Sequence, residues 1–137
     1  MPLDPQKAAD TRDWLRKALE DLRSAEVLMR PSVGLAGPAV FHCQQAAEKA
    51  LKAFLFWHDT PFRKTHGLDE LGAACAALDS SLRGLVDGAV SLTPYAWRFR
   101  YPGDVLAPAP EDVAAALALA RAVYEAVLAR LPEEARP

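Results

Sequence analysis

PAVFHCQQAAEKALKAFLFW, running from Pro38 to Trp57, is the stretch that decides the fold. Proline suits the first turn of a helix, where its missing N–H would be unsatisfied anyway and its fixed φ is already helical. After Pro38, Cys43, Ala47, Ala50, Leu51 and Phe54 recur at steps of three and four and make one apolar stripe. Asp59, Thr60 and Pro61 stop the pattern, so the spacing predicts a helix from Pro38 to about Trp57. Gln45, Glu48, Lys49 and Lys52 share a polar face, with Glu48 and Lys52 at i,i+4. By spacing alone this reads as a solvated face. The closing run Phe54-Leu55-Phe56-Trp57 is apolar all round, which predicts cover from more than one side and hence a subunit interface.

Working outward, Asp10 or Thr11 is the expected N-cap of a preceding helix that carries Trp14, Ala18, Leu22, Ala25 and Met29 on one face and stops at Pro31. Downstream, a third helix is expected after Thr65, with Leu68, Leu71, Ala74, Cys75 and Leu78. Ser80 and Ser81 cap a fourth, which carries Leu82, Leu85, Val86 and Val90. Thr93-Pro94 reads as a kink and restart of that fourth helix, reaching about Arg100. Tyr101 to Pro110 is an expected crossover loop. The last helix starts near Pro110, with Glu111 and Asp112 placed where the helix dipole favours acids. Its stripe of Val113, Leu117, Ala120, Tyr124, Val127 and Leu131 alternates steps of four and three, the pattern of a seam against partner helices.

Composition agrees with this helical reading. The 137 residues include 27 Ala and 19 Leu against nine Val, four Thr and no Ile, a bias toward residues that lose little entropy in helices. The fold class expected is all-α: an antiparallel up-and-down bundle of four to five helices with a kinked or broken fourth helix. One domain over 1–137 is expected, with its core at about 10–131. A formal net charge of -2 excludes a generally basic nucleic-acid coat, so any polyanion site must be local. Cys43 and Cys75 lack both CxxC spacing and a histidine cluster, which reads as two buried thiols with no metal site. MPLDPQKAAD has no apolar leader core and no long uncharged apolar run follows, so a cytoplasmic protein without a membrane segment is expected.

Two segments concentrate chemistry. Pro61 to His66 (PFRKTH) gathers Arg63, Lys64 and His66 without an acid, one edge of a phosphate site. Tyr95 to Asp104 (YAWRFRYPGD) alternates Trp97, Phe99 and Tyr101 with Arg98 and Arg100. Five residues between Pro94 and Pro102, with no second strand to pair, read as a helix end rather than a strand. Guanidinium groups beside aromatic rings suit phosphate contacts and base stacking, and they equally suit amphipathic packing with rings inward. Gly-rich phosphate loops, HExxH, GxSxG and Glu-x-x-His pairs are absent from the sequence.

At these residues the chain resembles the HEPN family, the "higher eukaryotes and prokaryotes nucleotide-binding" domains. The landmarks are DL-x-x-A at Asp21 to Ala25, QAAEKALKA at Gln45 to Ala53, TH-x-L-x-x-L at Thr65 to Leu71, and RYP with a following acid at Arg100 to Pro102 and Asp104. The resemblance implies an antiparallel helical bundle that pairs as a dimer. It also implies nucleotide or RNA handling, and often a small nucleotidyltransferase partner in a toxin-antitoxin type module. Many members are metal-independent endoribonucleases with an Arg-x(4-6)-His motif. Here His42, His58 and His66 have no arginine at that spacing upstream, and no histidine follows Arg100.

The leading expectation is therefore a dimeric helical module, without a cofactor, that binds nucleotide, RNA or a nucleotidyltransferase. Its expected site residues are Arg98, Arg100, Tyr101, His66, Arg63 and Asp104, with Arg63 at the rim and Gln45, Glu48, Lys49 and Lys52 as the family-motif polar face. Two alternatives stand beside it: a metal-independent ribonuclease toxin using a non-standard set such as Arg100, Tyr101 and His66, and a purely structural dimerisation module.

Overall fold

The computed structural model describes residues 4–103 and 107–137. Its elements in chain order are α1 (Pro5–Leu28), α2 (Ala36–Trp57), α3 (Leu68–Leu78), α4 (Arg83–Ala89) and α5 (Pro110–Ala129). Three 3-10 turns, Ser80–Leu82, Val90–Ala96 and Glu133–Ala135, join or follow them. The protein is all-helical, with no strand among the described residues.

α2 is the central rod. α1 and α2 pack along their lengths as a hairpin joined by the turn at 29–35, and α5 lies against α2 on another side. The chain then returns along α2 through segment 58–67, which sets His66 level with Gln44 and Glu48. From there α3 runs alongside α2, and the Cys75 thiol reaches the Leu51 carbonyl. α4 and its 3-10 extension climb back until Phe99 meets Gly37 at the start of α2. The buried stripe on α2 is the expected one, Cys43, Ala47, Ala50, Leu51 and Phe54. On α5, Val113, Leu117, Ala120, Tyr124, Val127 and Leu131 are likewise all buried.

Helix ends differ from expectation for local reasons. α1 starts at Pro5, not after Thr11, because the Asp4 carboxylate accepts from the N–H groups of Gln6 and Lys7 and Pro5 takes the first helical position. Thr11, expected as a cap, is fully buried and donates to the Lys7 carbonyl. Asp79, rather than Ser80 or Ser81, caps the turn before α4 by accepting from Ser81 N–H. The fourth helix is broken as expected, but four residues before Pro94: a proline ring clashes with the carbonyl of residue i−4, and the α-helix gives way to 3-10 at Val90. Thr93 caps no restart of its own helix; its hydroxyl accepts from Leu68 N–H and so caps α3. The 3-10 segment ends at Ala96, short of Arg100, and Phe99 turns the chain with φ of 67°.

The apolar run ending α2 is largely covered within one chain. Phe54 and Leu55 are buried, while Phe56 and Trp57 are half-buried. Lys7 stands over the Trp57 ring at 5.0 Å and bonds Asp59 at 2.8 Å, tying the start of α1 to the end of α2. Phe54 and Leu55 are thus taken up by intrachain packing, while Phe56 and Trp57 keep part of their surface. Large apolar side chains that do stay exposed include Val27, Val33 and Leu35 near the α1–α2 turn, and Trp97 and Tyr101 after the 3-10 segment.

Candidate functional site

The polar face of α2 is not solvated. Glu48 is 4% exposed, Lys52 8% and Gln44 fully buried, so their polar groups need partners inside the protein. Glu48 Oε2 accepts from Lys52 Nζ at 3.0 Å. Glu48 Oε1 takes Gln44 Nε2 at 3.2 Å and His66 Nδ1 at 2.7 Å. Gln44 also donates to the His66 carbonyl at 3.0 Å and accepts from Gln45, so the TH landmark is held by side chain and backbone together. The expected solvated face is wrong because segment 58–67 folds back over it, and a helical wheel cannot see that cover.

Lys49 turns to the other side. It reaches Asp21 on α1 at 2.7 Å, and Asp21 also takes His42 Nδ1 at 2.8 Å. Two carboxylates, Asp21 and Glu48, therefore each bridge a lysine and a histidine Nδ1. An ionised carboxylate only accepts, so in both pairs Nδ1 carries the proton. Asp21 and His42 were not among the expected site residues; the only signal for Asp21 was its place in the DL-x-x-A landmark.

The aromatic-basic turn sits on the N-terminal part of α2. Gly37 has no side chain there, and a Cβ would lie 3.2 Å from both Phe99 Cβ and the Phe99 carbonyl oxygen. That close approach lets the turn dock. Arg100 spreads its guanidinium 4.0 Å over the Phe41 ring and donates to the Ala96 carbonyl at 2.8 Å. Arg98 lies 5.2 Å from the Phe99 ring, and Tyr101 5.8 Å from the Arg100 guanidinium. Arg98, Arg100, Trp97 and Tyr101 are all exposed, while Phe99 is half-buried. The rings do not all turn inward, as amphipathic packing would require: Trp97 is 53% and Tyr101 63% exposed. Gly34, Leu35, Gly37, Phe99 and Tyr101 line one shallow concavity of about 310 Å³ beside this turn.

The other expected residues stand apart from it. Arg63 makes a two-pronged bond to Glu70, both contacts at 2.8 Å, so PFRKTH does meet an acid, supplied by α3. That contact holds the Arg63 guanidinium above its ordinary range and the Glu70 carboxyl below its own. Phe41 and Glu48 are seven residues apart on one face of α2, which sets Arg100 and His66 about 10 Å apart along the axis. His66 thus flanks the Arg100 turn without sharing one contact with it. Asp104 lies outside the described residues.

Neither thiol is poised for chemistry. Cys43 and Cys75 are free and buried, and burial pushes each up to about 12. Among the described residues no group of three or more His, Cys, Asp or Glu is arranged to hold a metal ion, and no helix is long and apolar enough to cross a membrane.

A family model described as the HEPN domain matches residues 11–131 of the 137. No curated protein and no solved structure gives a match.

Proposed function

The chain belongs to the HEPN domain family and is a nucleotide- or RNA-related helical protein, and from that premise we propose that it binds single-stranded RNA through the turn from Trp97 to Tyr101. The observation that carries the reading is the exposed Arg100 guanidinium laid over Phe41 and 5.8 Å from the exposed Tyr101 ring, on a turn that also exposes Trp97. Stacked arginine keeps its outward N–H groups for phosphate, and exposed aromatic faces accept bases without sequence preference. Among the described residues neither Arg98 nor Arg100 meets a carboxylate, in contrast to Arg63. His66, held at the side by Glu48, flanks the path.

The protein acts as a binding component rather than a nuclease, working as a homodimer beside a small nucleotidyltransferase in a two-component system. Its membership of a family whose domains often act as dimers supports the dimer. The missing Arg-x(4-6)-His spacing supports binding over cleavage.

Fluorescence anisotropy with a labelled single-stranded RNA tests the reading. Replacing Arg100 with Ala should weaken binding by about 1–3 kcal/mol, the scale of a charge-assisted bond, with little change in melting temperature. Arg121→Ala, which breaks an ion pair between α5 and Glu26 of α1 and among the described residues touches none of the turn, should leave binding intact. If Arg100→Ala bound as well as the parent but melted much earlier, the residue would be a structural anchor of the turn. Metal-independent cleavage of the RNA would make the protein a ribonuclease instead.

A further inference from the structure

Twice in this protein a lysine sits between an aromatic face and a carboxylate. Lys7 Nζ stands 5.0 Å over the Trp57 ring and bonds Asp59 at 2.8 Å, and Lys52 Nζ stands 5.7 Å from the Phe62 centroid and bonds Glu48 at 3.0 Å. A further set of rings and acids has no such cation. It is a groove of about 420 Å³ between α1 and α2, lined by Asp10, Asp13, Trp14, Lys17 and Phe56. Trp14 and Phe56 are half-buried, and among the described residues no cation stands over either ring. Asp10 takes only the neutral amide of Gln6, at 2.9 Å. Asp13 meets Arg16 through one contact of 3.4 Å between exposed side chains, and Lys17 turns to Glu20 at 3.3 Å. The two aspartates therefore set the sign of the groove.

Asp10, Asp13, Trp14 and Lys17 stand at i, i+3, i+4 and i+7 on α1, so they share one face over about 10 Å, nearly two helical turns. A cation is drawn to an aromatic face, and a carboxylate beside the ring completes its neutralisation. Phosphate is repelled by the same acids, which separates this groove from the Arg100 turn; the concavity there shares no lining residue with it. Two rings also offer more apolar surface than an ammonium group alone covers. Aliphatic side chains of a helix laid along such a groove would cover the rest. We infer that the Trp14–Phe56 groove docks a basic amphipathic segment of a partner polypeptide, with its aliphatic side chains on the two rings and its lysines or arginines at Asp10 and Asp13. This surface stands independently of the reading of the Arg100 turn.

The probe is a dodecapeptide of three Leu-Lys-Lys-Leu repeats, compared at one salt concentration with its Lys-to-Glu and Leu-to-Ser counterparts and with spermidine. The indole N–H resonances of Trp14 and Trp97 report on the groove and on the Arg100 turn separately. Leu-Lys peptide should shift Trp14 saturably and leave Trp97 in place, while the other three probes leave both unmoved. Asp10→Asn with Asp13→Asn should weaken the peptide by about tenfold, the scale of losing two exposed ion pairs. Glu111→Gln with Glu125→Gln removes the same charge from α5, outside the groove, and should leave the affinity unchanged. The parent titration stands even if the paired aspartate variant folds poorly. Equal shifts with spermidine would make this a site for free polyamines, and equal binding of the Leu-to-Ser peptide would reduce it to charge attraction; either overturns the inference. So would a Trp14 resonance that moves on dilution of the protein alone, which would put a second copy in the groove, or one that no probe moves.

Discussion

Glu48 shows how a single side chain decides between surface and core. A carboxylate at 4% exposure is tolerated because Lys52, His66 and Gln44 all donate to it, and among the described residues Lys52, at 8% exposure, pairs with no other carboxylate. Removing one member of such a pair strands the other, which costs about 3–5 kcal/mol, far more than the pair contributes when intact. Glu48→Ala should therefore lower the melting temperature steeply. Glu48→Gln, which retains an acceptor for His66, should do so less. Urea denaturation of both variants checks this, and a loss below about 1 kcal/mol for Glu48→Ala would return the residue to the solvated face that its spacing suggested. Lys49 makes the complementary case: its neighbour in sequence points into the fold beneath segment 58–67, while Lys49 itself crosses to Asp21 on α1.

At the scale of elements, the apolar stripes of α2 and α5 were legible residue by residue, because both helices follow the 3.6 period over several turns. Their ends were less so, since a cap is one side chain and several serve equally: Asp4 capped where Asp10 or Thr11 was expected, and Thr93 capped α3 from a distance of 25 residues. The Trp97–Tyr101 turn was legible in composition but not in placement, because its docking depends on Gly37, sixty residues earlier. Gly37→Ala tests that placement. In an open helix the change would stabilise by about 1 kcal/mol through propensity. Here the new Cβ meets Phe99 at 3.2 Å, and Phe99 already sits at a φ of 67° that a non-glycine residue adopts at a cost. The two effects oppose each other, so the melting temperature should barely move while RNA affinity falls as the turn is displaced. A protein several degrees more stable with unchanged affinity would show that the turn yields freely.

At the scale of the whole molecule, the question is which apolar surface one chain leaves for a second copy. Phe54, Leu55 and the α5 seam are spent on packing within one chain, while Phe56 and Trp57 keep part of their surface. Among the large apolar side chains that stay exposed, Val27 at 43%, Val33 at 41% and Leu35 at 47% fall within nine residues around the α1–α2 turn, whereas Leu78 stands alone on α3 and Trp97 and Tyr101 belong to the aromatic-basic turn. A dimer built on this chain should therefore close through that end of the hairpin, where burying the remaining exposed part of each of three aliphatic side chains contributes about 1 kcal/mol per side chain and copy. A two-fold axis would bring each patch against itself and double the contact. Light scattering after size exclusion should give twice the chain's 14.9 kDa at micromolar protein. Val27→Asp with Leu35→Asp should shift it to monomer mass while leaving the helical circular-dichroism signal in place. Glu20→Ala, an exposed change on α1 beyond the patch, should not. A parent that runs as monomer at every concentration would sink the dimer itself, whereas a dimer untouched by the paired substitutions would move its interface away from the α1–α2 turn.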